Sequence, residues 1–226
     1  MTSIYERALG AEFNRLHPEV RKRFGFDSRD GIAAIGTGVM EEVWHGPPHV
    51  LPFLHLGAWR NIMFPSRGRS IPFQVENYAY RDRFGRETVT WVRTFYFPEG
   101  PRRFDATMIY SEGRRRIVDY LGTHQHLAVD IRPRVAPNGG LALESGSQRF
   151  YEGRLGFRFP MLFSGEARVC EWYDQESRRF RIDVAVSNAL WGRLFGYRGW
   201  FTVEWKACAA GDLPVCVKPR RDEWRD

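Results

Sequence analysis

Hydrophobic positions recur along the chain in two different rhythms. Ile4, Ala8, Phe13, Leu16, Val20 and Phe24 fall near helical spacing, which predicts a helical segment over residues 3–23. Ser3, with Glu6 three positions on, forms a capping box at its start. Pro18 lacks an amide hydrogen and divides the segment into two short helices. A glycine-rich passage from Gly31 to Gly38 then leads to a first strand, 38–44. From Ile71 onward the rhythm is two. It predicts strands at 71–75, 89–95, 104–110, 117–121, 125–135, 141–151, 166–172, 179–187 and 199–208, separated by short turns.

Between the two regimes, residues 45–65 form an irregular stretch. Pro47, Pro48, Pro52 and Pro65 surround the apolar run Val50, Leu51, Phe53, Leu54, Leu56, Trp59, Ile62, Met63 and Phe64. This run suits a short helix or a flap over a barrel end, or plain core. The spacers elsewhere are too short for repeated helical crossovers between parallel strands. The fold class that follows is mainly β: one antiparallel β-barrel-like or strongly curled meander sheet with an N-terminal helical segment. The pattern places a single domain over 1–208 and a loose, polar C-terminal tail over 209–226.

One hairpin yields a register. Asn138-Gly139 favours a two-residue type I′ turn, with positive φ at both positions. Pairing Pro137 with Gly140 sets His126 opposite Tyr151, Ala128 opposite Arg149 and Asp130 opposite Ser147. These six share one face, whereas Leu127, Val129, Ile131, Gln148 and Phe150 take the other. One face is greasy and the other carries chemistry.

Composition refines this picture. A hydrophobic fraction of 43% with 15% aromatics fills a sizeable core and excludes a disordered chain. The net charge is +7, and all but three of the 34 basic side chains are arginines. They are scattered through turns such as Arg114-Arg115-Arg116, with no basic stripe, so the expectation is no nucleic-acid partner. No apolar stretch is long enough to cross a bilayer and no leader is apparent, giving an expected cytoplasmic location. Three cysteines at irregular spacing build neither a disulfide scaffold nor a zinc ribbon.

The candidate chemistry gathers on the polar face of the registered hairpin. His124 and His126 form a His-x-His pair and Asp130 returns to the same side, but no histidine follows to complete a metal site. The expectation is therefore no metal, and no phosphate or dinucleotide motif calls for a cofactor. If this face is a lumen, Tyr110, Tyr120, His124, His126, Arg149 and Tyr151 supply directional hydrogen bonds, with Trp91 and Phe95 as aromatic wall. His126 beside Tyr151 is then the candidate catalytic pair, with Glu76, Asp119 or Glu171 nearby. If the face is solvated, Asp130 and Arg149 simply make a cross-strand ion pair. The aromatic, glycine-rich stretch 188–200 is expected to pack over a barrel end, or to touch a membrane surface.

Several strings resemble a bacterial family, the domain of unknown function DUF4166. They include Gly85-Arg-Glu-Thr-Val-Thr-Trp-Val-Arg93, Ile117-Val-Asp-Tyr-Leu-Gly-Thr-His-Gln-His126, Gln148-Arg-Phe-Tyr-Glu-Gly153 and Leu194-Phe-Gly-Tyr-Arg-Gly199. The resemblance runs from about Ser3 to Trp205. It implies a protein that stands alone, or follows a saccharopine-dehydrogenase-like or multi-spanning membrane region. It transfers no nicotinamide cofactor and no catalytic residues. Its associations favour an apolar ligand. Three readings follow: a holder of a hydrophobic small molecule (lipid, isoprenoid or polyketide-like), an isomerase- or cyclase-type acid–base enzyme acting on such a ligand, or a module docking on a membrane-associated oxidoreductase. Oligomeric state is not set by the sequence.

Overall fold

The computed structural model describes residues 2–158, 165–209 and 211–226. Helix α1 (Ile4–Leu9) begins at the predicted cap, the Ser3 hydroxyl accepting from the Glu6 amide at 3.1 Å. A 3-10 turn (Gly10–Arg15) follows. Pro18 then opens α2 (Pro18–Gly25), at the position where a missing N–H costs nothing.

The strands are β1 (Ile32–His45), β2 (Gly68–Arg81), β3 (Glu87–Phe97), β4 (Gly100–Ser111), β5 (Arg116–Leu121) and β6 (Leu127–Val135). They continue with β7 (Leu141–Glu152), β8 (Leu155–Arg158), β9 (Glu166–Asp174), β10 (Arg179–Asn188) and β11 (Gly192–Ala207). Helix α3 (Leu51–Trp59) lies between β1 and β2. Strands β1 to β6 pair in chain order, and β1 also pairs with β11, which continues to β10 and β9. Strand β7 joins β9 on one side and β6 on the other. The result is a closed, ten-stranded antiparallel barrel, with short β8 paired to the far end of β7.

A ten-stranded barrel encloses more space than its own inward side chains fill; eight strands is the size at which they just suffice. Helices occupy the surplus. Ile4, Tyr5, Phe13, Leu16, Val20 and Phe24 are buried in the same core as Trp91, Phe180 and Phe201 and plug one end. The plug is tied to the turns there: the His17 amide donates to the Gly139 carbonyl at 2.8 Å, and its ring lies 3.2 Å from Gln175 Oε1. Inside it, Arg23 (0% exposed) ion-pairs with Glu171 (1% exposed), donates to Asn77 at 3.1 Å and stacks on Phe201. Helix α3 covers the opposite end. The segment after it is pinned by two backbone bonds, Thr123 to the Arg60 carbonyl (3.0 Å) and Asp105 to the Asn61 carbonyl (2.8 Å). Gly122 makes that docking possible: its φ is +71°, and a Cβ there would lie 2.2 Å from the Arg60 carbonyl oxygen.

The β6–β7 hairpin departs from expectation twice. Only Gly139 has positive φ, and Ala136 and Gly140 close a three-residue loop instead of a type I′ turn. A bulge then sets Asp130 against both Gly146 and Ser147, which restores the predicted pairing of Ala128 with Arg149. The two shifts cancel.

Two further expectations change. From Ile32 on, the glycine passage belongs to β1 itself, where a Cβ on Gly38 would fall 2.0 Å from the Trp200 carbonyl. Most of the 188–200 stretch is the start of β11, so only its first residues form a turn at the barrel end. The tail is not loose. Residues 211–226 lie against the outer wall, with Val217 and Glu223 almost fully buried.

Strand β7 pairs with β9 only from Leu141 to Glu144. Beyond that, side chains bridge the seam: Ala167 N–H donates to Ser145 Oγ at 2.7 Å, and Gln148 Nε2 to the Gly165 carbonyl at 2.5 Å.

Candidate functional site

Between α3 and the plug lies a cavity of about 950 Å³. Its wall is mainly apolar: Phe104 and Met108 from β4, Leu127, Val129 and Ile131 from β6, Leu143 and Phe150 from β7, Val184 and Val186 from β10. Leu54, Leu56, Trp59 and Met63 form the roof. The greasy face of the registered hairpin is therefore the lumen, as burial of apolar surface requires.

Among the described residues, Ser145, Gln148, Glu152 and Asn188 add polar groups to the wall, and Arg60, Arg93, Asp119, His124 and His126 add side chains that carry charge or titrate. His124 and His126 stand at the rim, with rings stacked at 5.8 Å. Neither sits on β6. Gln125 takes φ +51°, which breaks the period-two alternation and turns both imidazoles toward the cavity. The His126 Nδ1 lies 3.0 Å from the Tyr151 carbonyl and 2.8 Å from the Glu152 carboxylate. The His124 Nδ1 lies 2.9 Å from the Thr123 hydroxyl. Burial, followed by the charge of Arg60, holds His124 below the usual histidine range. Among the described residues, no three His, Cys, Asp or Glu side chains gather as a metal-binding group.

Deeper in the cavity are Arg93 and Asp119. Two Arg93 donors have partners: Nε donates to the Phe104 carbonyl (3.0 Å) and Nη1 to the Tyr197 hydroxyl (3.1 Å), and the guanidinium lies over the Phe104 ring at 3.9 Å. Asp119 projects inward with Ile117 and Leu121, and its Oδ1 is buried without a hydrogen-bond partner. Burial pushes its carboxyl up from 3.8 to about 7, against the pull of Arg93. Burial first, and then the charges of Asp119 and Glu171, push up the nearby Tyr5 hydroxyl in the plug.

The candidate residues separate into two groups. Trp91, His124 and His126 line the cavity. Tyr120, Arg149 and Tyr151 lie on the outer wall, beneath the tail, which corrects the expectation that they surround a common lumen with the histidines. Arg149 ion-pairs with Asp130 at 2.7 Å and donates to the Tyr151 hydroxyl at 3.1 Å. The Tyr120 hydroxyl donates to the Arg225 carbonyl at 2.6 Å, and the Arg225 guanidinium lies over the Tyr151 ring at 4.4 Å. The His126 ring meets the Tyr151 main chain but not its phenol. Tyr110 packs at the plug end under the Arg7 guanidinium, 4.6 Å away. Phe95 is core.

In the sequence Asp119 stands out only as a neighbour of the histidines, and Arg93 not at all. Both still carry a readable signal: a charge at the apolar phase of a strand, between Ile117 and Leu121 and between Trp91 and Phe95.

The comparisons agree with the resemblance. An uncharacterized protein of Bacillus subtilis (strain 168), YndH, is 34% identical over 204 residues, spanning 90% of this chain and 98% of its own length. No solved structure matches the chain. The domain of unknown function DUF4166 matches residues 16–201, most of the barrel, and the chain belongs to that family.

Proposed function

We propose that the barrel holds a hydrophobic small molecule of lipid, isoprenoid or polyketide-like character. The observation that carries this reading is the cavity: about 950 Å³, walled mainly by apolar side chains, with polar groups at defined places. Small-molecule sites have this size and makeup. Native mass spectrometry of protein purified without denaturation is expected to show a co-purifying apolar molecule. The fluorescent probe N-phenylnaphthylamine is expected to bind and to be displaced by extracted lipid. Protein that carries no such molecule and binds no probe overturns the reading.

A second reading, acid–base catalysis on such a molecule, is favoured by one feature. Asp119, a carboxyl held near neutrality, and the two rim histidines share the cavity. Conversion of the co-purified molecule that disappears in Asp119→Asn or His126→Ala, with binding retained, supports the enzyme. Turnover unaffected by both substitutions removes these residues from it.

A further inference from the structure

We infer that the cavity's ligand carries a hydroxyl group at its inner end and that Asp119 hydrogen-bonds it; this rests on the reading of the cavity as an apolar ligand site. Asp119 is 8% exposed and projects from β5 into the cavity wall; its Oδ1 is sealed in the wall without a partner, and its other oxygen, also without a hydrogen bond, is the one a ligand reaches. A buried acceptor with no partner is costly, and an incoming donor recovers that cost. The hydrogen bonds of Arg93 go to Phe104 and Tyr197 and none reaches Asp119. From the elements packed around it, Arg93 of β3 and Tyr5 of α1 are the groups whose charge or titration couples to Asp119.

The chemistry selects among apolar ligands. A pure hydrocarbon leaves the carboxyl without a hydrogen bond. A fatty acid brings a second negative charge to a carboxylate in a low-dielectric site. An ether or ketone only accepts, and finds a donor only while Asp119 is protonated. A hydroxyl both donates and accepts, so it satisfies the carboxyl in either state. Of these four, a long-chain or isoprenoid alcohol fits the carboxyl best.

The test displaces N-phenylnaphthylamine from the intact protein with dodecanol and with dodecyl methyl ether, at mildly alkaline pH where the carboxyl is ionised. Wild type is expected to prefer the alcohol by roughly ten- to a hundred-fold, the range for a hydrogen bond to a charged group. Asp119→Leu is expected to erase the preference while keeping ether binding; Asp119→Asn, closer in shape, is expected to reduce it. Equal displacement by both compounds in wild type, or by neither, overturns the hydroxyl assignment and leaves the apolar cavity standing. A preference that survives Asp119→Leu also overturns it. Failure of the probe itself to bind sinks the underlying cavity reading.

Discussion

Asp119→Asn alters the charge at the cavity wall while nearly preserving the side chain's shape. Burial moves this carboxyl from 3.8 to about 7. The folded chain therefore keeps the proton up to about pH 7, whereas the unfolded chain releases it near 3.8. Between those values the folded state binds more protons, so stability falls as pH rises across the window. The contribution is fully present below 3.8 and fully lost above about 7. At about 1.4 kcal/mol per pH unit, the loss is on the order of 4 kcal/mol. Asparagine does not ionise and escapes it. Urea unfolding, followed by tryptophan fluorescence, measures both proteins near pH 4 and pH 8. The stability of the variant relative to wild type is expected to rise by about 4 kcal/mol from the lower pH to the higher. Groups that titrate alike in both chains cancel, as does any fixed cost of the substitution. A difference constant to within about 0.5 kcal/mol, or one that moves the other way, refutes the burial argument.

Two other substitutions address the ends of the barrel. Glu171→Leu leaves the Arg23 guanidinium buried without its ion-pair partner and is expected to cost about 3–5 kcal/mol in denaturant unfolding. The double variant Arg23→Leu/Glu171→Leu should recover much of that, and no recovery would show that the pair is not what holds the plug. Gly122→Ala forces a side chain into positive φ against the Arg60 carbonyl. A loss of at least about 1–2 kcal/mol is expected, with faster amide exchange at Thr123 and Asp105, and an unchanged melting point would contradict it.

Much of the fold was legible because antiparallel strands record their two faces in alternate residues. The Ser3 cap, the Pro18 break and ten strand positions are all set by local chemistry. The orientation of the polar residues did not. Tyr120, Arg149 and Tyr151 looked like site residues because they are polar and share a face, but that face is closed by a tail far away in sequence. Glu223 N–H donates to Gln125 Oε1 at 2.6 Å, and Arg225 covers Tyr151. A polar face under a tail reads the same as one lining a pocket. His124 and His126 reached the cavity through a single left-handed residue, Gln125, which no period reveals. Asp119 was marked by its phase, but nothing local separates a cavity wall from a filled core.

The divided β7 has a consequence in time. Along most of the barrel the wall is stitched by backbone ladders, which open only when a strand unzips. At the β7–β9 seam, beyond the short ladder, Ser145 and Gln148 do the stitching through single side-chain hydrogen bonds. Opening there is local and needs no strand to leave the barrel. Among the described residues these two hydrogen bonds close the seam beyond Glu144, and exchange of the Ala167 amide reports how often the Ser145 contact parts.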